Sequence, residues 1–363
     1  MRSQTSLMLP LIVYLCTCLV AGCADREGTP SRSETRRNVR LILASEFPVN
    51  LPVVGTTLTH MAERLEIASN GTLKLDINEP RELVPPLGSL DAVSEGKVDI
   101  AYSAAGYWLG KMPAAPLFSS VPFGPETAEY LAWLFQGNGM KLYQEMYDQA
   151  DYQVKVLVCG MIPPETSGWF AKRIDTPDDL KGLKMRFYGL GGRVMERLGV
   201  AVTLLASSEI FQALERGVID ATEFSLPTID QRLGFHDIVK FNYFPGWHQQ
   251  ATVVELLINQ KTWKGLSPDQ RMLIELSCQD GIVHSICEGE GTQFTALKKS
   301  VSEYGVSIEM WSPTMLELFR TNWVKVAEEE CARDPFFKKV FDDLTDFRRN
   351  YDMWEKTAFL PRN

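Results

Sequence analysis

Twice in this chain a short helical stretch stops at a glycine and turns straight into a strand. Asp91-Ala92-Val93-Ser94-Glu95-Gly96-Lys97-Val98-Asp99-Ile100-Ala101 runs parallel to Gln212-Ala213-Leu214-Glu215-Arg216-Gly217-Val218-Ile219-Asp220-Ala221-Thr222. Glycine takes up the left-handed conformation that ends such a helix without strain, so each copy reads as the helix-to-strand joint of one building block. Two joints in 363 residues, room for two compact units of about 150, predict an α/β protein of two lobes with a ligand cleft between them. Residues 39–47 read as a strand. Residues 53–71 read as a helix with a Leu58, Met61, Leu65 and Ile67 stripe, ended by Gly71, and 72–77 alternate as a strand should. Ser89 is placed to cap the short helix that Gly96 closes. This alternation predicts mostly parallel pairing. Beyond Ser267 the chain is helical over 268–284 and onward, 313–327 and 334–354, and such helices can brace both lobes. The last carries Phe336, Phe337, Val340, Phe341, Leu344 and Phe347, an apolar face suited to bracing or to a homodimer.

The N-terminus is an address. Residues 1–22 carry Arg2 and an apolar run over 7–20 that contains Pro10, too short to span a ~30 Å bilayer core at ~1.5 Å per residue. It reads as a signal peptide. Val20-Ala21-Gly22-Cys23 resembles the lipobox of bacterial lipoproteins, in which the cysteine becomes the lipidated N-terminus; a plain signal peptide or an uncut anchor helix are the alternatives. Residues 23–37 then form a polar tether. Of seven cysteines, Cys16 and Cys18 leave with the peptide and Cys23 is acylated. Cys278 and Cys287 point to opposite faces of a helix, and no Cys/His metal spacing exists. Cys159, Cys278, Cys287 and Cys331 read mainly as buried thiols, with one disulfide through Cys331 left open.

Net charge is −9, from 37 Lys+Arg against 46 Asp+Glu, which argues against a nucleic-acid partner. No HExxH, GxSxG, P-loop or GxGxxG after a strand is present. Gly189-Leu190-Gly191-Gly192 lacks the P-loop lysine and reads as a tight turn, and Asp178/Asp179 after Thr176-Pro177 read as helix capping. Nothing demands an enzyme.

Six blocks carry a resemblance: Gly168-Trp169-Phe170, Leu180-Lys181-Gly182-Leu183-Lys184-Met185-Arg186, Gly189-Leu190-Gly191-Gly192, Glu209-Ile210-Phe211-Gln212-Ala213-Leu214, Ile219-Asp220-Ala221-Thr222-Glu223 and Phe244-Pro245-Gly246-Trp247-His248. Through them residues 38–355 resemble the solute-binding proteins of tripartite ATP-independent periplasmic (TRAP) transporters, most of all members that bind 2-oxo or 2-hydroxy monocarboxylates. The resemblance implies a two-lobed periplasmic-binding-protein (Venus flytrap) fold with mixed sheets and long C-terminal helices. One lobe would be 38–163 plus about 250–290, the other 164–249 plus about 291–363. It further implies a bacterial extracytoplasmic receptor that docks on a small and a large membrane subunit. Arg186 matches the arginine that clamps the ligand carboxylate, a role suited to a guanidinium fork. Glu223 matches a ligand of a cation that bridges to the solute, and Phe224, tryptophan in those members, would offer its backbone carbonyl. Tyr107, Trp108, Phe187 and Trp247 are implied cleft walls.

Glu165 stands where those members carry glutamine. With glutamine, one solute carboxylate, one Glu and one Arg sum to −1, which Na⁺ neutralises. With Glu165 ionised the sum is −2, and uncompensated charge in a closed cleft costs several kcal/mol. The expectation is therefore Ca²⁺, which favours all-oxygen ligands; the alternative is that Glu165 points outward and Thr166 lines the site. Glu165 and Glu223 could also pose as a hydrolase acid–base pair, but an adjacent carboxylate clamp fits binding better. A dicarboxylate or sugar acid as ligand, or a solute-sensing lipoprotein, remain the other readings.

Overall fold

In the computed structural model, which describes residues 38–360, the chain builds two sheets and passes between them three times. It lays down β1 (Val39–Ser45), β2 (Leu73–Asn78), β3 (Ile100–Ser103) and β4 (Val154–Ile162) in the first sheet. It then crosses to the second for β5 (Gly168–Phe170), β6 (Lys184–Arg186), β7 (Ala201–Thr203), β8 (Ala221–Thr222) and β9 (Phe241–Phe244). β10 (Thr252–Asn259) returns to the first and β11 (Ser307–Met310) to the second. The orders are β2-β1-β3-β10-β4 and β11-β9-β5-β8-β6-β7. Pairing is mixed rather than mostly parallel. β10 runs antiparallel to β3 and β4, and β5 runs antiparallel to β8 and β9, while the other pairs are parallel. Each reversed strand is the first that its sheet receives after a crossing, a feature that local helix–strand rhythm does not encode.

The helices follow the same division. α1 (Val54–Ala68), α2 (Ser89–Ser94), α3 (Thr127–Gln136) and α4 (Gly139–Gln149) precede the first crossing. α5 (Gly189–Arg197), α6 (Ser207–Glu215), α7 (Pro227–Arg232) and α8 (Phe235–Ile238) lie between the first and second. α9 (Gln260–Gly265), α10 (Pro268–Ser302), α11 (Pro313–Arg333) and α12 (Pro335–Ala358) complete the chain. The two echoed joints have the same geometry: Gly96 at φ 75° follows α2 into β3, and Gly217 at φ 66° follows α6 into β8. One joint serves each sheet.

Three local expectations change. Gly88, not Ser89, is the N-cap of α2. Ile67 is exposed, so the buried stripe of α1 is Leu58, Met61 and Leu65. Gly189-Leu190-Gly191-Gly192 is the first turn of α5 rather than a tight turn; a Cβ on Gly191 would lie 2.5 Å from the Phe187 ring and 2.9 Å from His248 Cβ, so glycine lets that turn close against the second crossing. Asp179 does cap, accepting from Thr176 N at 2.8 Å and Thr176 Oγ1 at 2.9 Å.

α10 starts at a capping box in which Ser267 Oγ accepts from Gln270 N (3.2 Å) and Gln270 Oε1 from Ser267 N (3.0 Å), with Pro268 in the first turn. It packs on α1, β4 and α7, so one helix touches both halves of the molecule. α12 buries Phe337, Val340 and Leu344, worth about 1.5–3 kcal/mol each. It lies along α3 and α4, with Trp133 Nε1 donating to Asp343 at 2.8 Å and Arg348 to the Phe123 carbonyl at 3.0 Å. The apolar face expected to brace or to dimerise is therefore covered by the chain itself. No helix among the described residues is long and apolar enough to cross a membrane, and the expected signal peptide, lipobox and tether lie outside the described residues.

Candidate functional site

The first two crossings, 163–167 and 245–251, run side by side. Glu165 N donates to Gln249 O (3.2 Å) and Gly246 N to Glu165 O (3.1 Å). A Cβ on Gly246 would sit 2.3 Å from that carbonyl, so glycine is what lets the strands meet. The contact aims Glu165 inward, where it is 2% exposed. From the second sheet β6 ends in Arg186 and β8 runs into Glu223, and both are buried.

Arg186 is held by its neighbours. Its Nε donates to Leu205 O (3.2 Å), and its Nη1 to both the backbone O and Oε1 of Glu223 (2.6 Å each). Tyr188 N also donates to Glu223 Oε1, at 2.5 Å. One edge of the guanidinium fork is thus occupied by Glu223, and Nη2 makes no hydrogen bond to the described residues. The Phe224 ring lies 5.2 Å from the Arg186 Cζ. Glu165 Oε1 accepts from Thr252 Oγ1 (2.8 Å) and Gln249 Nε2 (3.2 Å). The second oxygens, Glu165 Oε2 and Glu223 Oε2, are buried without a hydrogen-bond partner, as are Ser225 Oγ and Gln249 Oε1. A protein rarely leaves so many acceptors bare together, and bare oxygens are what a hard cation takes. The residues present fit such an ion. No group of three or more His, Cys, Asp or Glu among the described residues is arranged to hold a metal alone, so a cation here would complete its shell from backbone and solute oxygens.

Arg186, Glu165, Phe224 and Tyr107 line one cavity with Phe47, Val54, Ala104, Ile162, Tyr188, Ser225, Gln249 and Thr252, of about 20 Å³. That is room for about one water, far below an open ligand pocket. Glu165 points into it rather than outward. Three of the implied wall residues, Trp108, Phe187 and Trp247, do not line it. Trp108 donates its Nε1 to Glu255 at 2.8 Å, and Trp247 stacks on Phe319 at 4.7 Å, with Phe187 packed behind it at 6.1 Å. Tyr188 and Ser225 were not foreseen, although each follows a site residue by two along extended chain, the spacing that returns a side chain to the same face. Gln249 and Thr252 carry no such signal. The cavity is closed by contacts between the two halves: Ser119 Oγ and Tyr188 Oη are hydrogen-bonded at 2.7 Å, and a Cβ on Gly106 would lie 2.3 Å from the Tyr188 ring.

A family model described as "Bacterial extracellular solute-binding protein, family 7" matches residues 44–334. The chain belongs to this family. This solute-binding protein is 32% identical over 360 residues to the monocarboxylate 2-oxoacid-binding periplasmic protein of Nostoc sp., covering 99% of this chain and 97% of that one. It is also similar to a TRAP periplasmic solute-binding protein from Pseudoalteromonas atlantica with bound sodium and pyruvate (TM-score 0.85, 32% identity, 89% of this chain and 97% of that one). One from Colwellia psychrerythraea with bound calcium and pyruvate gives TM-score 0.82 and 32% identity over 89% and 98%. The two-lobed α/β fold of TRAP solute-binding proteins is thereby shared, and these relatives are transport receptors rather than enzymes.

Burial dominates the electrostatics of the site. It pushes the Glu165 carboxyl well above the usual range, with the Glu223 charge adding to it. Glu223 is raised by burial too, but the Arg186 guanidinium opposes the shift, so of the two carboxyls Glu165 is pushed further toward its neutral form. Behind them Asp230, which accepts from Trp169 Nε1 at 2.8 Å and Ser225 N at 3.1 Å, is pushed by burial up to about 7. A carboxyl raised in the folded state stabilises it below the unfolded value near 3.8, and that contribution is lost as pH rises through the folded value. The melting temperature of the solute-free protein is therefore expected to fall by ~5 °C or more between pH 4.5 and 7.5. Asp230→Asn should flatten the fall while lowering stability overall, because the amide cannot accept from both donors. A flat wild-type profile in a thermal melt series would show these carboxyls to be ionised throughout.

Proposed function

We propose that this chain is the receptor of a TRAP-type secondary transporter, capturing a small 2-oxo or 2-hydroxy monocarboxylate through an Arg186 clamp and a bridging cation, Ca²⁺ in preference to Na⁺. The observation that carries the reading is the closed cavity itself, in which a buried guanidinium with a free amino group faces Glu165 and has Glu223 at its side, each carboxylate holding one bare oxygen. A carboxylate would dock on Arg186 beside a cation that Glu165, Glu223 and the Phe224 carbonyl would hold, and the cation would supply the positive charge that lets Glu165 ionise. The tight space favours a small acid over a sugar acid, and the apolar wall of Phe47, Val54, Ile162 and Phe224 disfavours a second carboxylate.

Solute enters between open lobes, 38–163 plus about 250–290 and 164–249 plus about 291–363, with α12 reaching back across the first. Better contacts in the closed state drive closure. The receptor then delivers the acid to the small and large membrane subunits. Residues 1–22 are removed on export and Cys23 carries the lipid that holds the 23–37 tether at the membrane, which labelling with a radioactive fatty acid tests. The reading is tested by calorimetric titration of purified residues 31–363, chelator-stripped, with pyruvate, lactate and longer 2-oxo acids, with and without Ca²⁺ or Na⁺. One acid should bind tightly and only with Ca²⁺ present. Metal-independent binding rejects the bridging ion, and no binding of any organic acid rejects the transport reading in favour of sensing.

A further inference from the structure

Cys159 lies on β4 and Cys278 on α10, the helix packed against that strand. Cys159 lies at the slip in the β4–β10 ladder, between Val254 and Glu255, and its thiol donates to the Val254 carbonyl at 3.6 Å. Gly281, three residues along α10 from Cys278, brings the helix onto the strand: a Cβ there would lie 2.5 Å from the Cys159 carbonyl oxygen. The thiols of Cys159 and Cys278 interact, and burial together with that contact pushes the Cys159 thiol well up. Both are free thiols in the structure, at 0% and 2% exposure. Acid binding uses neither. Cys287 is exposed and Cys331 only partly covered.

We propose that Cys159 and Cys278 are joined as a disulfide in the exported protein, pinning α10 to the strand that leads into the Glu165 crossing. Two neighbouring buried thiols, carried into an oxidising compartment, are the ordinary substrate for this chemistry, and the inference rests on the exported location. Because a buried, neutral thiol is inert, the bond forms before α10 settles on β4. A disulfide of the thiol-exchange class, R–S–S–R′, is the oxidant. One cysteine thiolate attacks it, giving a mixed disulfide and R–SH; the second attacks the mixed disulfide, closing Cys159–S–S–Cys278 and releasing R′–SH. The chain loses two electrons, the exchange disulfide gains them, and the two cysteine protons leave on the released thiols.

The test compares full chain recovered after export with chain refolded in an oxidised and reduced glutathione buffer. Each is denatured and alkylated without reductant, then mapped by mass spectrometry. Alkylation of Cys287 and Cys331, with Cys159 and Cys278 found as one cross-linked peptide pair, is the expected result. Reducing the protein should lower its melting temperature by ~5–10 °C, and Cys278→Ala should abolish that dependence while leaving Cys159 open to alkylation. Alkylation of both residues in either preparation overturns the proposal, as does pairing of either with Cys287 or Cys331. The refolding arm does not depend on what the protein carries, so its failure leaves the acid-binding reading standing.

Discussion

Arg186→Ala is expected to weaken acid binding by about 10²-fold to 10³-fold. The lost contacts are charge-assisted hydrogen bonds in a site closed to water, where truncating one partner of a buried charged pair costs about 2–5 kcal/mol. Two terms add in that loss. The solute carboxylate loses the guanidinium it docks on, and Glu223 loses the Nη1 contact at 2.6 Å that opposes the effect of its burial. Glu223 is then pushed further toward its neutral form, so the variant also holds the cation less well. Arg186→Lys keeps the charge but cannot reach Leu205 O, Glu223 and a solute from one planar group, and should fall between wild type and alanine. The measurement is calorimetric titration with pyruvate in saturating Ca²⁺, with circular dichroism to establish that each variant is folded. Folded Arg186→Ala that binds as tightly as wild type would remove the clamp from the proposal.

The parts of this fold that sequence disclosed are those set by neighbours along the chain. Gly96 and Gly217 mark their joints because a left-handed residue after a helix leaves few alternatives, and Thr176–Asp179 declares its cap within four residues. What the sequence hid is set by distant partners. β10 and β5 run against their sheets while β11, which also enters after a crossing, runs parallel to its neighbour, and a short strand pattern reads the same in either direction. Trp108 and Trp247 resemble cleft walls as residues, yet Trp108 is drawn down by Glu255 and Trp247 by Phe319; an aromatic side chain satisfies either role, and only tertiary context chooses. Arg186, Glu165 and Glu223 were legible through the resemblance, as positions matched to the family's motif blocks, and not through any local pattern of their own. What the structure adds is their burial, which makes each charge costly enough to demand a partner. Gln249 and Thr252 announce nothing, because neutral polar residues are common in any crossing.

Glu165→Gln is expected to change which cation supports binding. With the solute bound, Arg186, Glu165, Glu223 and the acid sum to −2, which a divalent ion cancels; with glutamine the sum is −1, which Na⁺ cancels. Ca²⁺ affinity should drop by ~100-fold or more, since a formal charge is lost from a ligand set in a low-dielectric cavity, and pyruvate binding should become supportable by Na⁺. The shape of the site permits the exchange. An amide oxygen turned toward the cation leaves its NH₂ facing Thr252 Oγ1 and Gln249; the Thr252 hydroxyl can rotate, and Gln249 can turn its unpartnered Oε1 to accept. The same chemistry gives wild type a pH signature that the variant lacks. Burial pushes the Glu165 carboxyl well above its usual range, so Ca²⁺ competes with a proton there, and wild-type Ca²⁺ affinity should rise with pH and release a proton, seen as a binding heat that varies with the ionisation enthalpy of the buffer. Glu165→Gln should release none. Unchanged Ca²⁺ affinity in the variant would place Glu165 outside the coordination shell and return the choice between Ca²⁺ and Na⁺ to Glu223 and the solute alone.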